Sequence, residues 1–377
     1  MKVRKPMQTR ELIAKLVGVH HATLLSDIVA APFGDIDLYV PPDFFPQAIK
    51  CVEDEGYTIT HKDPCSAVYS RFENGTMYMV DLLCDFNVYA RAGPSLRLSP
   101  KGSASLVQSV VLNSCFKGLC LNRRAKIPFI QTHWAEFKSF LMDGDNFESH
   151  QVLSAGSKNE TAKGFFNHMA RASFCKRLIA SLRYRWSVLG TGVSLAFIGP
   201  DGSGKSFIID KLRPIGPTSF VYMGDWFFAF QRLYTLLLKI PSPWNRFLYG
   251  IYFIENLIRY GKVLLLRFLG HIVLIDRFPG TNRNVIHKGL LQKINKAVFA
   301  FFPKPDLLVL LEASPDVVYK RKQELSVQEI AQIQEALRVM LKGERHVVLN
   351  TEALDETLNS LLAAAYACRD VKKKKSV

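Results

Sequence analysis

The 377-residue chain is 48% apolar and carries 49 Lys and Arg against 33 Asp and Glu, a formal charge of +16. Such a chain can bury substantial cores and lies nearer in length to two domains than to one or three; its charge favours an anionic partner such as nucleotide phosphates, an acidic lipid surface or nucleic acid. Seven scattered cysteines without zinc spacing, a charged N-terminus and the lack of any uncharged apolar run of about 18 residues exclude a zinc finger, a secreted chain and a membrane span, and predict a cytoplasmic protein with reduced thiols.

In the first 150 residues, DIDLYV (35–40) and TMYMVDLL (76–83) read as strands, and QAIKCVEDEGY between them as a helix ending near Gly56. The pattern is a small α+β domain. Asp35 and Asp37 stand two apart and so share one face of a strand, while Asp81 ends the second apolar run. Three carboxylates there could gather round two Mg²⁺ ions. On these residues the region resembles the minimal nucleotidyltransferase fold, and the resemblance implies that the aspartates hold metals that activate an acceptor hydroxyl on a nucleotide α-phosphate. Where that family has a Gly-Ser pair shortly before the first aspartate, this chain has Gly18-Val19, farther upstream. Three readings stay open for this half: an active transferase, a metal-binding module that recognises the acceptor, and surface aspartates at strand ends.

A stretch of small and polar residues, SHQVLSAGSKNETAKG (149–164), marks a linker. After it, FFNHMARASFCKRLIASLRYRW (165–186) alternates apolar and basic positions at helical spacing, which suits either an anionic membrane surface or a cover for the following domain. No nucleic-acid module accompanies the charge, which sets nucleic acid aside as a partner. The organisation expected is therefore a first domain over 1–150, a linker with a basic amphipathic helix over 151–188, a second domain over 189–370, and a basic disordered tail over 371–377.

In the second domain VSLAFI (193–198), HIVLID (271–276), DLLVLLE (306–312) and HVVLN (346–350) are compact apolar runs separated by long helical stretches. Fully apolar strands alternating with helices predict an α/β fold, a parallel sheet covered on both faces. Between the first run and the helix start FIIDKL lies Gly199-Pro200-Asp201-Gly202-Ser203-Gly204-Lys205-Ser206, which fits the phosphate-binding pattern GxxxxGK[ST] at every fixed position. Its glycines let backbone amides turn round phosphate oxygens and the helix N-terminus adds a favourable dipole. Lys205 should reach the β- and γ-phosphates of ATP, and the Ser206 hydroxyl should ligate Mg²⁺.

Residues 193–365 resemble the thymidylate kinase branch of the P-loop nucleoside and nucleotide kinases. The resemblance rests on FIGPDGSGKS, on IVLIDRF, and on KPDLLVLLEASPDVVYKRKQE. It implies a carboxylate, Asp201, near the acceptor and the metal, and an Asp276 at a strand's carboxyl end that holds a metal-bound water or orients the attacking oxygen. It also implies that Arg277 clamps the acceptor's anionic group, that Arg321 acts as a lid cation on the transferred phosphoryl group, and that Arg259 contacts the acceptor. After the P-loop helix the chain reads TSFVYMGDWFFAFQRLYTLLLKIPSPW, which does not align with the family's acceptor-binding stretch. The aromatic run from Trp226 to Phe268 reads as core helices packed on the sheet, with interfacial docking as the rival.

These residues lead to an ATP- and Mg²⁺-dependent phosphotransferase acting on a small nucleotide, sugar or sugar phosphate, and the lid pattern is also similar to thymidylate kinase-like proteins of surface-polysaccharide pathways. The alternatives are a nucleotide-binding regulatory or scaffold protein without turnover, a membrane-docked lipid kinase, and a bifunctional kinase-nucleotidyltransferase. A homodimer and peripheral membrane contact stand among the partners.

Overall fold

The structure, a computed structural model, describes residues 8–24, 34–63, 66–84, 132, 135, 188–224, 247–281, 283–286 and 290–376. The chain divides into two units, residues 1–186 and 187–377. The expected linker and basic helix, together with the aromatic stretch from Trp226 to Arg246, lie outside the described residues almost entirely.

In the first unit, helix α1 (Thr9–Val19) starts with a reciprocal cap, in which the Gln8 side chain accepts from the Glu11 backbone and the Glu11 carboxylate accepts from the Gln8 amide at 3.2 Å. Strands β1 (Thr23–Leu24), β2 (Gly34–Tyr39), β3 (Thr58–Asp63), β4 (Ser66–Glu73) and β5 (Thr76–Leu83), with helix α2 (Phe45–Asp54) after β2, form a sheet in the order β1-β2-β5-β4-β3. Only β2 and β5 run parallel. Ile36, Leu38, Val80 and Leu82 pack with Leu12 and Leu16 of α1 and with Ala48 and Val52 of α2. Because strand side chains alternate, Asp37 and Asp81 belong to the opposite face, where they are register partners across the parallel pair.

The second unit is an all-parallel sheet of β6 (Val193–Ile198), β7 (Thr218–Tyr222), β8 (Ile272–Asp276), β9 (Leu307–Glu312) and β10 (His346–Asn350), in the order β10-β9-β6-β8-β7. Every residue of β6, β8 and β9 is buried, whereas β10 alternates exposed and half-buried positions. Continuous apolar runs occupy the centre because both faces there are covered, and mixed runs go to the edges. The connecting helices are α3 (Lys205–Leu212), α4 (Phe247–Phe268), α5 (Leu290–Phe301), α6 (Pro315–Arg321), α7 (Val327–Leu341) and α8 (Leu354–Ser376), with a 3₁₀ turn at Arg283–Ile286. One sheet face, carrying Ala196, Ile198, Val273, Ile275, Leu308 and Leu310, packs against Tyr260 and Val263 of α4 and Ile333, Leu337 and Leu341 of α7. Phe278 and Tyr260 meet Phe302 edge to face at 5.6 and 5.4 Å, the orientation that ring quadrupoles favour.

The C-terminal tail differs from expectation. Helix α8 continues through Ser376 instead of ending in a disordered basic segment. The Lys372 ammonium lies 2.7 Å from the Asp306 carboxylate and donates to the Gly192 carbonyl at 2.9 Å, so a charge read as a solvated tail is tied to the sheet.

Candidate functional site

The site lies at the carboxyl ends of β6 and β8, beside the point where the strand order reverses, β6 having β8 on one side and β9 on the other. Gly199, Gly202 and Gly204 have φ of 149°, 90° and 89°, conformations that side-chain-bearing residues rarely adopt. A side chain at 199 would also meet the Leu311 carbonyl oxygen at 2.5 Å. The loop therefore needs glycine both for its backbone angles and for its approach to β9, and Gly204 passes directly into α3 as its cap. This is the turn geometry of a phosphate-binding loop.

Charge converges on it. The Lys205 ammonium, 7% exposed, donates to the carbonyls of Gly199 and Pro200 at 2.9 and 2.8 Å and lies 3.7 Å from the Asp201 carboxylate. Burial pulls its pKa down to about 8, against the opposing pull of Asp201 and with a smaller push from Arg277. Asp201 also accepts from Arg277 at 2.8 Å and has the Lys322 ammonium at 3.9 Å. Burial raises the Asp201 pKa, but Lys205, Arg277 and Lys322 together outweigh it and hold the carboxyl below its ordinary value. At the end of β8, Asp276 is 8% exposed and burial dominates, raising its pKa despite Lys205 and Arg277. Arg277 itself has φ of 69°, a left-handed conformation that for an arginine is strained. Its amide is fixed by the Phe197 carbonyl at 3.0 Å, so the guanidinium is aimed across the loop at Asp201.

Helix α6 lies over the loop, and a side chain at Gly202 would meet the Val318 carbonyl at 3.0 Å and the Lys322 β-carbon at 3.1 Å. The helix ends at Arg321, and Lys322 is already extended at φ −153°, ψ 107°. The two neighbours therefore serve different places. Lys322 faces Asp201 and Glu324, whereas the Arg321 guanidinium donates to the Thr351 hydroxyl at 3.1 Å, beside the start of α3. Arg321 was expected to be the lid cation at the transferred group; Lys322 is the cation that lies against Asp201.

A cleft of about 240 Å³ opens from Asp201, Lys205 and Arg277 and is walled by Tyr222, Tyr252 and Phe278. Arg259, expected at the acceptor, is not among the cleft's lining residues. It forms a buried pair with Glu255 at 2.9 Å and donates to the Gly224 carbonyl at 3.1 Å, bracing the chain that leaves β7. Lys322 and Glu324 stand in the basic end of the KPDLLVLLEASPDVVYKRKQE segment, which gave Arg321 the lid role, and the only signal for Tyr252 was its place in an aromatic run that reads as core.

Mg²⁺ takes hard oxygen donors, and Asp276 and Ser206 supply a carboxylate and a hydroxyl. The Asp276 Oδ1 atom is buried without a hydrogen-bond partner among the described residues, as befits an oxygen reserved for a ligand. The residues fit the ion. In the first unit, Asp37 is 1% exposed beside Asp81; Asp35 pairs through its backbone with Met79, its side chain lying outside the described residues. Among the described residues no group of three His, Cys, Asp or Glu side chains is placed to hold a metal. No described helix is long and apolar enough to cross a membrane, and the described cysteines 51, 84 and 368 are free thiols.

No family model matches the sequence, and no curated protein matches it. Among solved structures the chain is similar to the thymidylate kinase of Candida albicans, at 15% identity and a TM-score of 0.38 over 48% of this chain and 92% of that one. It is also similar to the thymidylate kinase of Ehrlichia chaffeensis, at 14% identity and a TM-score of 0.31 over 47% and 97%.

Proposed function

We propose that the second unit is an ATP-dependent phosphotransferase. The observation that carries the reading is the convergence of Lys205, Arg277 and Lys322 on a glycine-built phosphate loop with the Asp276 carboxylate beside it, at the carboxyl edge of a parallel sheet. In this reading Lys205 leaves the Gly199 and Pro200 carbonyls for the β- and γ-phosphates of ATP, exchanging two neutral acceptors for charged ones. Asp276 and Ser206 would hold Mg²⁺, which supplies charge neutralisation on the phosphate oxygens. The acceptor oxygen attacks the γ-phosphorus from the cleft and the bond to ADP breaks. Arg277 clamps an anionic group of the acceptor, Asp201 orients the attacking oxygen, a phosphate oxygen of a nucleotide or a hydroxyl of a sugar, and Lys322, with Arg321 beside the loop, screens charge on the moving phosphoryl group.

The acceptor is a small nucleotide, sugar or sugar phosphate. The aromatic walls Tyr222, Tyr252 and Phe278 support a flat ring or sugar face there. A place in surface-polysaccharide synthesis accords with a sugar acceptor. The test is ADP release from Mg·ATP against a panel of nucleoside monophosphates, sugars and sugar phosphates. One class should give acceptor-dependent turnover that Lys205→Ala removes at least ~10²-fold. Tight ATP binding with no turnover on any acceptor would move the protein to the scaffold reading.

For the first unit, the side-by-side placement of Asp37 and Asp81 supports a nucleotidyltransferase-like, metal-binding role. Titration with Mn²⁺ followed by paramagnetic broadening would test it, and an unchanged spectrum after Asp37→Asn would end it.

A further inference from the structure

Three cations surround the phosphate loop, and all three meet the same carboxylate. Asp201 Oδ1 accepts from Arg277 at 2.8 Å and lies 3.7 Å from the Lys205 ammonium, while Oδ2 lies 3.9 Å from Lys322. Burial pushes the Asp201 pKa up, but the three cations pull it further down, so the group is an anion at neutral pH. Its two oxygens are shared among a guanidinium and two ammonium groups, the same donors that charged phosphate oxygens take.

The sequence is committed to this contact at several points. Arg277 reaches Asp201 from a backbone with φ of 69°, which is strained for an arginine. A side chain at position 224 would come within 2.7 Å of the Arg277 Cδ, so the glycine there leaves room for the arm. A side chain at position 202 would meet the Lys322 Cβ at 3.1 Å, so the glycine there lets the loop pass close enough for Lys322 to reach the neighbouring carboxylate. Asp201 remains 30% exposed, which leaves its cations open to exchange with an incoming anion.

We infer that Asp201 is an internal anion that holds Lys205, Arg277 and Lys322 in the empty site and is displaced by the phosphates of a ligand. The inference rests on the reading of this loop as a phosphate site. Every anionic ligand then competes with a group tethered beside the loop, whose effective concentration is high. A ligand that brings several charged oxygens at once displaces it, and the released carboxylate is then available to the acceptor. Asp201 thereby sets which anions the loop accepts and couples the donor side of the site to the acceptor side.

Isothermal titration of inorganic pyrophosphate, without metal, into the full chain tests this. Asp201→Asn keeps the shape of the side chain and removes its charge, and should bind pyrophosphate about 10-fold to 100-fold more tightly than wild type, the range for one hydrogen bond to a charged group. Glu324→Gln removes the same charge from the cleft rim and should change the affinity by less than about threefold, because its pair with Lys322 is exposed. Lys205→Ala added to Asp201→Asn should abolish the gain. Asp201→Ser repeats the comparison with a smaller side chain, and thermal melting followed by circular dichroism shows that each variant is folded. Unchanged or weaker binding by both Asp201→Asn and Asp201→Ser overturns the inference, because a carboxylate that only positions Lys205 and Arg277 would leave the ligand less well held when removed. Equal gains from Asp201→Asn and Glu324→Gln overturn it too, since charge balance alone would then suffice. So does a gain that survives Lys205→Ala, or the absence of pyrophosphate binding in every variant. A gain without turnover on any acceptor keeps this inference and moves the protein to the scaffold reading; turnover without the gain does the reverse.

Discussion

Lys205 holds its proton in a place that disfavours it. Burial brings its pKa to about 8, so the free protein carries a neutral lysine in the phosphate loop as pH rises past that value. ATP binding restores the proton, and affinity should fall about tenfold per pH unit above the shifted value, with proton uptake visible by calorimetry in buffers of different ionisation enthalpy. The sign for folding is opposite. Between about 8 and 10.5 the unfolded chain keeps a proton that the folded one has lost, so this group makes stability rise with pH in that window. A pH-independent affinity from 7 to 9.5 would contradict the burial that the structure gives Lys205. Asp276 tests function against stability at the same scale. Its Oδ1 lacks a hydrogen-bond partner among the described residues, so Asp276→Asn relieves a buried charge at little structural expense while removing the carboxylate proposed to hold the metal. Turnover should drop ~10²-fold or more and the melting temperature should not fall; a loss above about 4 °C, roughly 1 kcal/mol for a unit of this size, would make the carboxylate structural. Both residues are legible in the sequence, Lys205 because its loop is eight contiguous residues and Asp276 because it closes an apolar strand. Their pKa shifts are not legible, since burial is a property of the whole unit.

The elements show where contiguity stops helping. Strands β5, β6 and β10 coincide with the apolar runs read from the sequence, and β2, β8 and β9 lie within one residue of them. Strands β3, β4 and β7 carry no such run: TITHKD, SAVYSRFE and TSFVY mix polar and apolar residues, β3 and β7 as edge strands and β4 although it is an interior strand with six of its eight residues buried. The end of α6 decides the roles of Arg321 and Lys322, because one residue of extended backbone sends adjacent cations to different sides of the loop. The end of α8 is held by Asp306, which accepts from the Ser194 amide at 2.8 Å, from its hydroxyl, from Arg267 at 3.2 Å, and from Lys372 at 2.7 Å. Asp306→Ala should therefore destabilise the unit by about 3 kcal/mol, since it leaves half-buried cations uncompensated. Lys372→Met should cost about 1 kcal/mol or less, because the other partners of Asp306 remain. Urea midpoints of the two variants measure the difference, and equal losses would show that the Lys372 tie dominates.

At the scale of the whole chain, the two units have separate cores, and the proposed roles of Asp37 and Lys205 can be tested one unit at a time. Asp37→Asn should leave ATP turnover by the second unit within about twofold of wild type, while Lys205→Ala abolishes it; loss of ATP turnover in both would mean that the first unit supplies part of the same reaction. The sequence by itself determined the glycine-rich turn between β6 and α3, the apolar runs that become strands buried on both faces, and the carboxylate that closes β8. These features depend on neighbours along the chain, and their chemistry is read from residue type and spacing. Only the tertiary structure decided that β6 is central with β8 and β9 beside it, that Lys322 rather than Arg321 meets Asp201, that Arg259 braces a wall instead of lining the cleft, and that α4 keeps an apolar side outward. Each of those depends on which distant segments pack together. Packing is a sum of many small contacts over the unit, so no short stretch of residues announces its outcome.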